Sequence, residues 1–349
     1  MEWWALAALL LLSGATSWVL TPVVLRLCRQ YRTFDTFDER KVHTRRVPRL
    51  GGVAIFCAVS LGLMAAQMAA AFELVEMPIF ESSLMPAIYI GLCGFFFIGF
   101  ADDLSSLPAL PRLFAQLVAA TVTVLLSGEG GVRITAAFGQ PLGLSDWAEV
   151  AITVVWIVGV ANTFNWIDGL DGLASGVACI SAMAFLTLAL LHPALPYSAL
   201  TAAISAVLVG ALLGFLRYNF FPARIFLGDG GAFSLGYLLA VISVVGLFKQ
   251  AAVISFAVPL TVLALPIFDT AFAILRRIVR GKSPFTPDAK HIHHRMLALL
   301  SRTYRERLPA DQRTRIEEKY AQRRAHRDTV LWLYGVCIVC ACVAIALGK

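Results

Sequence analysis

An all-α, polytopic integral membrane protein of about ten transmembrane helices is the fold class that the sequence predicts, and three observations predict it. The 349 residues are 59% hydrophobic and only 15% charged, with a mean hydropathy of +0.77, outside the range of a soluble domain of that length. The apolar residues fall in repeated runs long enough to cross about 30 Å of hydrocarbon. Lys and Arg are concentrated in alternate connections between those runs, the pattern of a chain threaded through a membrane.

The runs lie near residues 3–25, 50–72, 84–101, 112–127, 147–163, 173–191, 197–217, 231–248, 250–275 and 330–347. The first, opening MEWWALAALLLL, has no positive segment before it and is long enough to span, so it reads as a retained helix rather than a cleaved signal. The fourth and fifth are short, and Pro108 and Pro111 blur the start of the fourth, which leaves nine or eleven spans open. No internal repeat and no separate soluble domain is visible. The whole chain, residues 1–349, reads as one transmembrane catalytic domain with a single long connection, a basic loop over 276–329.

Orientation follows from the basic residues, because cytoplasmic connections retain them. With ten spans and both termini outside, the inner connections hold eight Lys or Arg between Arg26 and Arg49, then Arg112, Arg217, Arg224 and fifteen between Arg276 and Arg327, leaving Arg133, Lys249 and Lys349 outside. The net charge of +7 is therefore a topological signal and not a nucleic-acid-binding one. The expected location is a membrane crossed many times, with the basic connections on its cytoplasmic side. The seven cysteines fall in or beside apolar runs and read as small buried hydrophobes without disulfides.

On this topology the conspicuous polar motifs share the inner face. Asp102 and Asp103 end the third span in GFADDL; Asn162, Asn165, Asp168 and Asp171 recur every third residue in ANTFNWIDGLDGL; Asp229 precedes the eighth span in FLGDGG; His291, His293, His294 and Arg295 form HIHHR. A charge in hydrocarbon costs several kcal/mol, roughly 2.5 to 3.5 on insertion scales, so these groups face water, protein or a metal. Carboxylates and amides gathered beside Lys and Arg suit a hard divalent ion, Mg²⁺, with a polyanionic substrate; zinc is conceivable only for HIHHR. Acids at the end of the third span oppose that helix's own dipole, which argues against a mere cap. Asp269, inside the ninth run, reads equally as a member of this constellation and as a mere ion-pair partner for Arg276 or Arg277. The run RKVHTRRVPR is chiefly a positive-inside marker, with Lys41 and His43 as candidate substrate contacts.

GFADDL, NTFNWIDGLDGL, FLGDGG and HIHHR, in this order on one face, resemble the polyprenyl-phosphate N-acetylhexosamine-1-phosphate transferase superfamily (glycosyltransferase family 4). The likeness is closest to bacterial undecaprenyl-phosphate N-acetylglucosamine-1-phosphate transferases of the WecA and TagO type. HIHHR departs from the three consecutive histidines of members that load N-acetylmuramyl-pentapeptide. So does TRRVPRL before Gly51, where that branch carries a threonine-rich stretch.

The resemblance implies a phosphotransferase of the bacterial cytoplasmic (inner) membrane. It would move N-acetylglucosamine 1-phosphate from UDP-N-acetylglucosamine to undecaprenyl phosphate and release UMP, the first membrane step of an envelope polysaccharide such as lipopolysaccharide or teichoic acid. By the family's pattern Asn165 and Asp229 hold Mg²⁺, for which Mn²⁺ can substitute. Asp102, Asp103 and Asp168 form the catalytic group. Asp171 and Phe226 recognise uracil, and Asn162, Lys41, His43, the three histidines and Arg295 contact substrate. The partners are a UDP-sugar, a polyprenyl phosphate and the membrane, with no nucleic acid, and the assembly is left open between monomer and homodimer. Two other readings stand beside this one: the same transfer on a different UDP-N-acetylhexosamine, and a cation transporter, disfavoured because transport sites sit near the midplane between repeated halves.

Overall fold

The computed structural model describes residues 2–31, 47–74, 84–128, 131–137, 140–195, 197–246, 260–279, 281, 291–306 and 315–348. Lys41 and His43, and residues 250–259 of the expected ninth span, lie outside the described residues. The elements are α1 (Trp3–Gln30), α2 (Gly52–Ala71), α3 (Leu84–Ser105), α4 (Ala109–Leu126), a two-residue hairpin of β1 (Ala136–Ala137) with β2 (Gln140–Pro141), α5 (Asp146–Ile167), α6 (Leu173–Leu191), α7 (Ser198–Asn219), α8 (Gly228–Gly246), α9 (Ala264–Val279), α10 (Ile292–Glu306) and α11 (Arg315–Gly348). Nine of these helices among the described residues are long and apolar enough to cross a membrane.

The hydrophobic effect cannot drive helices together in lipid, so close backbone contact through small residues does that work. Helix α1 meets α7 in this way. A Cβ at Gly214 would overlap the carbonyl of Gly14, and one at Gly210 would overlap that of Leu10. Helix α8 forms the centre, with 94% of its membrane-length window buried. It is seated by the same device, since a Cβ at Gly52 of α2 would overlap the Gly231 amide, and one at Gly99 of α3 would overlap the Asp229 carbonyl. On the perimeter, Leu11, Phe97, Phe114, Val155, Phe272 and Val339 are exposed, as lipid-facing side chains should be. Cys57 and Cys342 are exposed there too, while Cys28, Cys179 and Cys337 are buried. The expectation of seven buried cysteines fails because lipid is as apolar as the core.

Helix α8 leaves the end where its motif lies and reaches Gly246, beside Thr201 at the start of α7. By Asp269 the chain is back at the motif end, hydrogen-bonded to the amide of Ile292 at 2.8 Å. The expected loop over 276–329 is largely helical: it holds the end of α9, all of α10 and the first turns of α11. At 34 residues α11 is about 51 Å long, well beyond a bilayer core. It therefore projects past the membrane, and it packs against α10 at Asp328, to which the Tyr304 hydroxyl donates at 2.6 Å.

Candidate active site

Helix α5 runs four residues past its expected end, to Ile167, with Asp168 as its C-cap. Asn165 consequently joins Asn162 in the last helical turns, one turn apart from it on a shared face. Asn165 Nδ2 donates to Asp229 Oδ1 at 2.6 Å. Asn162 Nδ2 turns to Gln116 Oε1 of α4 at 2.7 Å and to the Val158 carbonyl at 2.8 Å. The chain then reverses through Gly172, whose φ of +77° is readily reached only without a side chain.

Helix α8 begins at Gly228, so FLGDGG supplies its first turn. Two backbone amides of that turn, Asp229 at 2.9 Å and Gly230 at 3.0 Å, donate to the Asp103 carboxylate. An acid that its own helix disfavours is thus placed at the positive end of another. Asp103 also accepts from Arg49 Nε at 3.0 Å, and Arg49 Nη2 lies 3.7 Å from Asp229 Oδ2. Asp102 accepts from the Leu107 amide at 2.6 Å, pairs with Arg112 at the start of α4 and lies within hydrogen-bond reach of Asp229. The segment carrying Arg49 is strapped to the approach to α8, with the Phe226 amide donating to the Pro48 carbonyl at 2.7 Å and the Gly51 amide to the Phe226 carbonyl at 2.9 Å.

A second group forms around the histidines. Asp269 accepts from the Ile292 amide and lies 3.2 Å from His291 Nδ1 and 3.6 Å from His293 Nδ1. The expected pairing of Asp269 with Arg276 or Arg277 is thus replaced by one with the histidines, while Arg277 stacks over Trp166 at 5.3 Å. His293 is 2% exposed, and burial pushes its imidazole pKa below the ordinary value, opposed by Asp269. Its Nε2 stands so close over Gly169 that an added Cβ would lie 2.5 Å away. The stretch from Asn165 to Gly169 therefore joins the histidine group to the carboxylate group. His294, ring centroid 4.2 Å from that of His293, is half-buried, and Arg295 is exposed.

Asp171 sits apart from the open surface. It is 1% exposed and accepts from the Ala223 amide at 2.9 Å, while its own amide donates to His326 Nε2 at 3.1 Å. His326 is itself fully buried and stacks on Phe221 at 4.6 Å. Phe226 keeps partial exposure.

The model of the family described as "Glycosyl transferase family 4" matches residues 85–247. The chain is 36% identical over 288 residues, 82% of its own length and 76% of the relative's, to the "Probable undecaprenyl-phosphate N-acetylglucosaminyl 1-phosphate transferase" of Bacillus subtilis. It is 35% identical, covering 75% and 69%, to the "Decaprenyl-phosphate N-acetylglucosaminephosphotransferase" of Mycobacterium leprae. It is 31% identical, covering 80% and 77%, to the "Undecaprenyl-phosphate alpha-N-acetylglucosaminyl 1-phosphate transferase" of Thermotoga maritima. The chain belongs to glycosyl transferase family 4.

As a family 4 protein it carries its ordered motifs in one place, yet several residues that shape the site were not singled out from sequence. Arg49 lies in a stretch read as a charge marker, and Arg112 was counted only for topology. Gln116 and His326 gave no signal beyond sitting in or next to apolar runs. Asp269 was visible as an acid within a span, but its partner was not.

Proposed function

We propose that this family 4 protein transfers N-acetylglucosamine 1-phosphate from UDP-N-acetylglucosamine to undecaprenyl phosphate and releases UMP. The reaction takes place at the cytoplasmic face of the bacterial inner membrane, with Mg²⁺ as cofactor. The observation that carries the reading is the convergence of Asp103, Asp229, Asn165 and Arg49 at the membrane end of the bundle, beside the Asp269-held histidines. Arg26, Arg29, Arg112, Arg217 and Arg224 lie at that same end, which favours the cytoplasm for it.

The donor set fits Mg²⁺ and not zinc. Among the described residues no three His, Cys, Asp or Glu side chains converge to form a complete cage. The oxygens of Asp229 and Asn165 are hard ligands, and Mg²⁺ is commonly held by one or two carboxylates with substrate phosphates and water completing its shell. Asp229, with 30% of its side chain exposed, is open to a ligand, whereas Asp103 at 3% holds the α8 turn in place. When bound, the ion neutralises charge on the diphosphate.

The remaining work is positioning and charge neutralisation, as phosphoryl transfer requires. An oxygen of the lipid phosphate attacks the β-phosphorus of the UDP-sugar, the bond to the bridging oxygen breaks, and UMP leaves with that oxygen. Asp168, half-buried at the end of α5, faces the arriving acceptor. His294 and Arg295 supply hydrogen bonds to the phosphates or sugar from above. Phe226 offers a partly exposed ring for uracil. Asp171 acts from behind, holding the turn at Ala223.

Detergent-solubilised protein given undecaprenyl phosphate, Mg²⁺ and a panel of UDP-sugars tests this, with the lipid read by mass spectrometry. Lipid-linked N-acetylglucosamine 1-phosphate with matching UMP, abolished by EDTA and restored by Mg²⁺ or Mn²⁺, is expected. Product from another UDP-N-acetylhexosamine alone would overturn the sugar assignment. Mg²⁺ uptake into proteoliposomes without lipid product would overturn the reaction.

A further inference from the structure

The basic stretch TRRVPRL before Gly51 has so far been a topological marker, yet one of its arginines reaches the middle of the carboxylate group. Arg49 Nε donates to Asp103 Oδ1 at 3.0 Å and Nη2 donates to the Asp102 carbonyl at 3.3 Å, with Asp229 Oδ2 at 3.7 Å. The fork is aimed by the backbone. Pro48 and Gly51 are hydrogen-bonded to Phe226 on either side of it, and a Cβ at Gly228 would overlap the Arg49 carbonyl. Asp102, paired with Arg112, presses on Asp229 as well, and Arg49 is the guanidinium that meets both Asp103 and Asp229, carboxylates close enough to repel each other.

We propose that Arg49 is the resident counter-cation of the Asp103–Asp229 pair, and that it competes with the divalent ion until a diphosphate arrives to receive its guanidinium. The proposal rests on the metal reading above. Three carboxylates, Asp102, Asp103 and Asp229, and two guanidinium groups, Arg49 and Arg112, sum to a single negative charge, a poor attraction for a doubly charged ion in the presence of a cation only a few ångströms away. A diphosphate changes that balance, because it adds negative charge and its oxygens match the planar fork as well as a carboxylate does. The ion therefore binds weakly to the free protein and firmly once the nucleotide is present. Arg49 is a positioning residue in the free protein and contacts phosphate only in the complex.

Thermal unfolding of the purified full-length chain, titrated with MgCl₂ in the absence and presence of UDP, reads this without turnover. In the absence of UDP, Arg49→Gln should lower the metal-free Tm and move the midpoint of Mg²⁺ stabilisation at least about tenfold lower, since a competing charge is gone. Arg49→Lys should keep a midpoint within about threefold of wild type, because charge decides the competition, while its metal-free Tm falls for want of the fork. Equal midpoints for Arg49→Gln and wild type would overturn the proposal and leave the metal reading standing. No Mg²⁺ effect in any protein, even with UDP, would overturn the metal reading and the proposal with it. If Arg49→Gln does not fold, Arg49→Lys decides alone, and a midpoint moved about tenfold in that variant overturns the proposal, because its charge is unchanged.

Discussion

His326 accepts a hydrogen bond at 3.1 Å from the backbone amide of Asp171, a residue 155 positions earlier in the chain. A histidine on the last span thereby holds the reversal between α5 and α6, the stretch that delivers Asn165 and Asp168. Replacing it by Ala leaves a buried donor unmet, which costs about 1–3 kcal/mol. His326→Ala should therefore melt several degrees below wild type in detergent, and His326→Gln, which keeps an acceptor, should recover part of the loss. A His326→Ala melting temperature indistinguishable from wild type would remove this role.

Asp103 and Asp229 should fail in different ways. Asp103 satisfies two amides of the first turn of α8, so Asp103→Ala removes a helix cap and should cost about 0.5–2 kcal/mol of stability as well as activity. Asp229→Asn keeps the backbone turn and removes an ion-facing oxygen, so activity should fall at least about a hundredfold with the melting temperature nearly unchanged. The pair is checked by parallel thermal melts and initial rates; matching profiles for the two variants would refute the division of labour.

The histidines divide along similar lines. His294 is only half-buried and is proposed above to contact substrate, so His294→Ala should lower kcat/KM about tenfold or more, roughly 1.4 kcal/mol, with folding intact. His291 and His293 are buried against Asp269, and their replacement by Ala should lower melting temperature together with kcat/KM. If all three variants stay within about twofold of wild type, α10 does not form the sugar-side wall.

His293 also sets a pH dependence. Burial lowers its pKa in the folded protein, so as pH falls through the ordinary imidazole value, about 6.5, the unfolded chain takes up a proton that the folded chain resists. The unfolded state binds more protons in that window, so stability rises with pH through it and is lost on acidification. Melting temperature should fall between about pH 7 and pH 5, and more steeply in wild type than in His293→Gln. Parallel slopes for the two proteins would exclude His293 as the source.

Gly52 is predicted to tolerate no side chain. A Cβ there overlaps the Gly231 amide of the central helix, and overpacking of this kind costs about 1–3 kcal/mol. Gly52→Ala should lower both melting temperature and the yield of monodisperse protein, whereas Gly159→Ala, where a Cβ meets nothing within 4 Å, should behave as wild type. Size-exclusion profiles of the two variants provide the check.

The membrane-spanning architecture was legible in the sequence because lipid imposes it locally. Each run must satisfy its own backbone as a helix and be apolar over its whole length, so length and hydropathy located α1 to α8 with errors of a few residues, while α11 begins well before its expected run because its polar first turns carry no hydropathy signal. The same physics placed Asp102, Asp103, the Asn165 stretch, Asp229 and HIHHR at one end, since charges cannot stay in hydrocarbon. Which of those groups meet was decided by tertiary structure alone. Nothing local to Asp103 points to the amides of Asp229 and Gly230, nothing in TRRVPRL points Arg49 toward them, and nothing in a basic helix links His326 to Asp171. Those contacts depend on how closely the helices approach, which is set by glycines such as Gly52, Gly99 and Gly231 packed backbone to backbone, and on the reversal at Gly172. Hydropathy records only whether a residue avoids water, and is blind to which neighbour receives it.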